Sequence, residues 1–322
     1  MRSDNRLQLL GQVAGMYYEQ GKSQAEIAQK LGYSRSAISR LIAEAHQKGI
    51  VQVTVNHPIQ RSRYHEQKLI ETFDLQEAYV LSGSYGQCEP RIRLLGRLGA
   101  QVLMENLPED GLLGITWGYA VYEVVQAIKP RHLPKVKVVQ MMGALGKGDP
   151  KLDGPGLAHQ LAIVLSGRHY IPHVPLMVES DETYQVLMNQ QNIREVMEMT
   201  NHLDVAVLGI GSGDPELSGV RRAGYLTHEE IEEIKKQGAV GDVCGYYIDI
   251  NGKILDIDFN HHLIAANIQK LRQTSCRVIG IAGCEPKVPS IFGALRGRYL
   301  DILVTDDEAA EGVLRMAMRY PD

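Results

Sequence analysis

Cysteine is scarce: Cys88, Cys244, Cys276 and Cys284 are the only four in 322 residues. That is too few for a disulfide framework in a chain this long. No two form a C-x-x-C pair, so neither zinc binding nor redox chemistry is expected, and reduced thiols in a cytoplasm are the expectation. Long apolar runs are missing as well. None approaches the roughly 18 apolar residues of a membrane span, and the start, MRSDNRLQLLGQVAG, lacks the uninterrupted apolar core of a signal peptide. A membrane partner is therefore not expected. No Gly-x-Ser-x-Gly, His-Glu-x-x-His or kinase signature occurs, so no catalytic nucleophile is nominated. There is no internal repeat and no low-complexity tract.

What is present is an ordinary globular composition, with 44% hydrophobic and 22% charged residues, and a length that favours two domains. The net charge of −4 is unevenly divided. Residues 1–56 hold seven Lys/Arg and four acids, a net of +3, leaving 27 and 34 in the remainder, a net of −7. A basic head on an acidic body lets the head approach phosphate while the body stays off it.

Ser23 to His46, SQAEIAQKLGYSRSAISRLIAEAH, reads as two short helices joined by a turn. Ser23 and Glu26 form a capping box, Ile27, Ala28 and Leu31 give an inward stripe, and Gly32 is placed to stop the helix. Ser34 caps the second helix, whose apolar positions are Ala37, Ile38, Leu41 and Ala45. Its opposite face offers Arg35, Ser36, Ser39 and Arg40, which suits a DNA groove: arginine forks onto guanine, and serine bonds bases or phosphates. Ser23, Gln24 and Ser34, at the two helix starts, complete the expected DNA-contacting set. An ordinary helical pair with a solvated face is the bland alternative. The neighbours argue against it, because Leu7, Leu10, Val13, Ala14 and Tyr17 supply a third amphipathic helix and Ile50–Val55 alternates as a short strand. Residues 1–56 are expected to be a helix–turn–helix head, and Asn56-His57-Pro58 separates it from residues 57–322.

Arg61–Phe73 is expected as a connecting helix, exposed or pairing with another subunit through Tyr64, Leu69, Ile70 and Phe73. From Gln76 onward short apolar runs (77–81, 112–115, 136–139, 204–208, 277–281 and 301–304) alternate with helical stretches, notably 91–104, 119–128, 156–165 and 228–237. This pattern indicates an α/β domain with a mainly parallel sheet covered on both faces. Ile248–Asp256 departs from it, because Asn251-Gly252 between alternating runs reads as a hairpin.

Ligands of parallel sheets sit where strands lead into helix N-termini. Gly114–Gly118, with the Thr116 hydroxyl, would suit a phosphate, although a tight turn alone also explains its glycines. Leu208–Gly213 is not a dinucleotide fingerprint, because Asp214 and Pro215 follow where a helix should begin. Gly143–Gly148 lacks the Lys-Ser/Thr of a Walker A loop. Lys287, just past the glycine turn at Gly283, is placed to meet an anion, but spacing alone favours a solvated surface lysine. Asp242 lies in an apolar, glycine-flanked run and must be paired or bound; sugar hydroxyls are good partners, and an internal turn is the alternative. Asp256, Asp258, His261 and His262 fit a hairpin arm and loop better than a metal cluster, so neither metal nor cofactor is expected.

Several blocks together resemble the SorC family of bacterial sugar-metabolism regulators: QVAGMYYEQGKSQAEIAQKLGYSRSAISRLIAEAHQKGIVQV in the head, then GITWG, DVAVLGIGSG, the RAGYL of Arg222 to Leu226, GAVGDVCGYYIDINGKILD, AGCEPK and LVTD. The resemblance runs nearly end to end. It implies a DNA-binding head and a body similar to sugar-phosphate isomerases that acts as a sensor rather than an enzyme. Its implied partners are double-stranded operator DNA, a sugar or phosphorylated-sugar effector, and further copies of the chain in a dimer or tetramer. By matching motif, effector contacts fall on Thr116, Trp117, Gly118, Asp242 and Lys287. Two departures stand near that site: Met142-Gly143 where many relatives have Gly-Gly, and Gly283-Cys284-Glu285-Pro286 where many have Gly-Gly-Glu. The rival expectation is a sugar-phosphate isomerase or deaminase with an appended DNA-binding head.

Overall fold

The computed structural model describes residues 2–51, 58–83 and 87–320, with side chains from residue 6 onward. Two compact units divide the chain, Met1–Pro58 and Ile59–Asp322. In the first, α1 (Arg2–Ala14) runs on through one π-helical turn, Gly15–Glu19. A π turn takes up an extra residue, which brings Met16 inward beside Leu10, Val13 and Ala14. It also leaves Tyr17 only partly covered. Leu7, expected on this stripe, is instead 47% exposed near the free end of the helix.

The predicted helix pair follows. α2 (Gln24–Leu31) starts at the Ser23–Glu26 capping box and stops at Gly32, which takes φ 71°. α3 (Arg35–Gln47) starts at Ser34, whose hydroxyl accepts the Ala37 N–H. Ile27, Ile38, Leu41, Ile42 and Ala45 close a core against α1. Most of the expected strand Ile50–Val55 lies outside the described residues.

The second unit opens with α4 (Arg63–Phe73). Its expected exposure is corrected: Leu69 is fully buried, and Ile70 and Phe73 pack against the same core, leaving only Tyr64 of the four outward. Glu66 is buried as well, held by Arg61, Arg63 and the Val80 N–H. Then come β1 (Glu77–Leu81), α5 (Cys88–Asn106), β2 (Leu112–Ile115), α6 (Tyr119–Ala127), β3 (Lys137–Gln140), α7 (Gly154–Leu165) and β4 (Arg168–Tyr170). A helical stretch of α8 (Asp181–Met188) and α9 (Gln191–Met199) leads to β5 (Val205–Gly209), α10 (Gly219–Arg222) and α11 (His228–Lys236). The hairpin β6 (Gly241–Val243) and β7 (Tyr246–Ile248) precedes α12 (Asp258–His261), α13 (Ile268–Leu271), β8 (Arg277–Ile281), α14 (Val288–Arg296), β9 (Ile302–Asp306) and α15 (Asp307–Arg319).

Seven strands form one parallel sheet in the order β1-β9-β8-β5-β2-β3-β4. Side chains alternate between its faces, as strand geometry requires. Val205 and Val207 join α5, α6 and α7 in one core, while Ala206 and Leu208 join α4, α14 and α15 in the other. From β2 the chain builds outward through β3 and β4. It then returns to β5 on the other side of β2 and builds the opposite way. The C-terminal ends of β2 and β5 therefore flank a reversal of strand order, the crevice where open parallel sheets bind ligands.

The hairpin expected at Asn251-Gly252 is present as a short arm, and a second reversal precedes it. The chain reverses earlier, between β6 and β7, at Cys244 and Gly245 with φ 51° and 82°. Asn251-Gly252 forms a tight turn, secured by Asp249, and its arms meet in the bridge of Ile248 with Ile254, with the Asp249 N–H donating to Lys253 and the Leu255 N–H to Tyr247.

Candidate nucleic-acid interface and ligand pocket

Arg35, Ser36, Ser39 and Arg40 all lie exposed on α3. Neither the Arg35 nor the Arg40 guanidinium has a hydrogen bond or ion pair among the described residues. The two capping serines are more constrained. Ser23 accepts the Glu26 N–H and donates its own O–H to the Glu26 carboxylate. Ser34 accepts the Ala37 N–H and lies 3.0 Å from the Ser36 hydroxyl. Gln24, in the first turn of α2, is half-buried.

In the body, a cavity of about 530 Å³ opens at the reversal between β2 and β5, within the roughly 300–1,000 Å³ usual for small-molecule sites. Thr116, Trp117 and Gly118 from the end of β2 line it, together with Asp242 on β6 and Lys287 beyond β8. Gly118, at φ 116°, turns the chain into α6. Not every N–H of this loop is open to an anion, since Thr116 donates to Val207 and Gly118 to Leu152. The Thr116 hydroxyl and the Trp117 indole N–H, by contrast, are buried with no protein partner. The indole rests against Gly219, where a Cβ would fall 2.4 Å from the ring. Met142, Ile92 and Leu217 add apolar wall.

Asp242 approaches the loop after β5 so closely that a Cβ on Gly211 would meet its carboxylate at 1.5 Å. Burial pushes the Asp242 carboxyl above its usual range, and the Lys287 ammonium and the Gly245 N–H oppose that shift. Lys287 moves the other way. Burial lowers it to about 8, Asp242 resists, and the Arg222 guanidinium adds to the lowering. The ammonium donates to the Ile210 carbonyl at 2.8 Å. The pocket therefore sets Lys287 near one carboxylate, Asp242, and a second cation, Arg222, in a cavity with two unpaired neutral donors. Gly143–Gly148 stays outside the lining, its Leu145 and Gly146 N–H groups tied to Asp153. Asp256 pairs with His261, and His262 with Asp181 across the chain.

One expectation about cysteine is overturned. Cys88 and Cys284 are joined in a disulfide, whereas Cys244 and Cys276 are free and buried. The parallel sheet explains it. Cys88 opens the helix after β1 and Cys284 follows β8, and both strands flank β9, so positions 196 residues apart meet at one sheet end. Sequence spacing carries no trace of such a pairing.

Residues 57–315 match the family described as "Putative sugar-binding domain", and residues 12–48 match the helix–turn–helix of Sigma-70, region 4. Over 319 residues the chain is 31% identical to the sorbitol operon regulator of Klebsiella pneumoniae, covering 98% of this chain and 100% of that protein. The chain belongs to the SorC family of bacterial transcriptional regulators. The crystal structure of the full-length Klebsiella SorC aligns with this SorC-family chain at a TM-score of 0.73 and 31% identity, covering 95% of this chain and 98% of that one. The deoxyribonucleoside regulator of Bacillus subtilis is 30% identical over 308 residues, 95% of this chain and 97% of the relative.

Within this SorC-family body, Thr116, Trp117, Gly118, Asp242 and Lys287 share one cavity. Arg222 also lines the cavity and carries no sequence signal of its own. It sits in the four-residue α10, too short for any periodic signal, and only its place in the RAGYL block pointed to it. Among the described residues no helix is long and apolar enough to cross a membrane.

Proposed function

We propose that this SorC-family chain regulates a carbohydrate operon, binding operator DNA through α3 and responding to a sugar, phosphorylated in its active form, held in the body cavity. The observation that carries the reading is convergence. Four segments separated in sequence bring a pair of cations, a carboxylate that can accept from hydroxyls and two orphan donors into one crevice at the switch point of the sheet. Sugar hydroxyls satisfy buried donors that would otherwise stay unpaired. Lys287 and Arg222 hold the phosphate, Asp242 selects the hydroxyl pattern, and Trp117 offers an apolar ring face. The names of the relatives, a sorbitol operon regulator and a deoxyribonucleoside regulator, fit polyhydroxylated ligands. On the head, Arg35, Ser36, Ser39 and Arg40 make the main contacts. Gln24, Ser23 and Ser34 stand at helix starts beside the phosphate backbone. Two or four copies of the chain supply the heads for a palindromic site.

Calorimetry with paired ligands tests the division of labour. Lys287→Ala should weaken a phosphorylated sugar more than its unphosphorylated analogue, and Asp242→Ala should weaken both. A charge-assisted hydrogen bond contributes roughly 1.5–3 kcal/mol, so each loss should reach about tenfold or more in dissociation constant. Full affinity in both variants would place the site elsewhere. One feature favours the rival reading of an isomerase- or deaminase-like enzyme: half-buried Lys287 lines the cavity with its pKa lowered, and such lysines recur in catalytic sites. Turnover of sugar phosphates by the pure protein, lost in Lys287→Ala, would establish that reading instead.

A further inference from the structure

We propose that Cys88 and Cys284 form a thiol–disulfide switch that sets the position of Lys287 in the ligand pocket. The two cysteines differ in exposure. Cys88 is exposed at the start of α5, whereas Cys284 is only 3% exposed, and both line the cavity. Cys284 also carries the decisive backbone geometry. Its φ of 72° and ψ of 152° lie in a region almost reserved for glycine. A side-chain-bearing residue persists there only when its surroundings hold it, and two anchors do so. The Cys284 N–H donates to the buried Asp306 carboxylate at 2.7 Å, and the disulfide ties its side chain to α5.

Lys287 follows whatever Cys284 does. Its N–H donates to the Cys284 carbonyl at 3.0 Å, closing the short turn Glu285–Lys287. Opening the disulfide removes one of the two anchors, lets Cys284 leave the glycine conformation, and turns the Lys287 ammonium away from Ile210 and Asp242. The exchange starts at the more exposed cysteine. A thiolate of a small dithiol attacks Cys88 Sγ and forms a mixed disulfide. The Cys88–Cys284 bond breaks, and its electron pair leaves on Cys284 Sγ, which takes up a proton. The second thiol of the reagent then attacks its own bound sulfur and releases Cys88 as a thiolate, which is protonated in turn. The protein gains two electrons and two protons, and the reagent becomes a cyclic disulfide. A low-molecular-weight disulfide such as oxidised glutathione reverses the change, giving up its S–S bond to become two thiols.

The chain's single tryptophan, Trp117, lines the same cavity, so its emission reports pocket geometry with no ligand present. The full-length protein is equilibrated with oxidised glutathione or with dithiothreitol. It is then denatured and alkylated with iodoacetamide. Two labelled cysteines are expected after oxidation, Cys244 and Cys276, and four after reduction. The Trp117 emission maximum should differ between the two native forms. Cys88→Ser, labelled at its three remaining cysteines, should show the emission maximum of the reduced form under both conditions. Four labels under both conditions, or one emission maximum for the open and closed forms, would overturn the switch. Inorganic phosphate titrated into each form separates this inference from the ligand assignment on which its consequence rests. Weaker binding to the reduced form supports the link to Lys287. Equal binding to both breaks that link, and binding to neither counts against the anion site alone.

Discussion

A lysine held near neutrality makes the pocket sensitive to pH through one side chain. Lys287 titrates at about 8 because burial penalises its charge, against an ordinary value of 10.5. Between those values the unfolded chain keeps the proton that the folded protein has released, so in the ligand-free state this group makes stability rise with pH across that window. Ligand binding runs the opposite way. An anion beside Lys287 favours the ammonium and raises its pKa, so binding around pH 8–9 should take up protons, whereas binding around pH 6 should not. Calorimetry in two buffers of different ionisation enthalpy measures the uptake, and Lys287→Met should abolish it. Uptake that survives in that variant would belong to another group. On the head, Arg40→Ala should cost about 1–3 kcal/mol at the cognate site if the guanidinium reads a base, with specificity relaxed at that position. A phosphate contact would instead weaken all sequences alike and lower the salt slope by about one unit. Operator affinity unchanged in the Arg35→Ala, Arg40→Ala double variant, with the fold intact, would remove both from the interface.

Loops between regular elements decide what the pocket holds. Gly211 is the sharpest case, since no side chain fits where the Asp242 carboxylate lies. Gly211→Ala should therefore push Asp242 aside and reproduce the ligand loss of Asp242→Ala while circular dichroism stays native. Retained affinity would show that the carboxylate does not need its present position. The same loops mark how far the sequence can be read. The runs at 77–81 and 277–281 coincide with β1 and β8, because buried parallel strands announce themselves as unbroken apolar stretches. The capping serines, Ser23 and Ser34, likewise fixed where α2 and α3 begin. β4, with only three residues and no apolar run, leaves no such mark, nor do the four-residue helices α10, α12 and α13. The Asn251-Gly252 turn announces itself in the sequence, whereas the β6–β7 reversal does not, because Cys244 takes positive φ through tertiary context. α4 misled through its polar composition, much of which is the Glu66 ion-pair cluster together with exposed charges. The Arg222 side chain and the Cys88–Cys284 bond depend on strand order, which one sequence does not spell out.

For the whole molecule, the account requires that the two units be coupled and that heads act in pairs. A single small head makes few contacts, and joining two converts the second into an intramolecular event that raises avidity without new chemistry. The protein should therefore sediment as a dimer or tetramer; a stable monomer that binds one half-site tightly would contradict this. Coupling has its own limit. A ligand shifts operator affinity only by as much as it discriminates between binding-competent and incompetent states, so a tenfold change in operator affinity needs about 1.4 kcal/mol of such preference. The most direct measurement is anisotropy of a labelled operator fragment, selected from random DNA by the protein itself and titrated in the presence of a panel of phosphorylated sugars. At least one member should shift the operator affinity of the wild-type protein. Asp242→Ala should bind the operator as the wild type does without ligand and fail to respond to that sugar. An operator affinity indifferent to every sugar, or an Asp242→Ala protein that responds as the wild type does, would contradict this coupling.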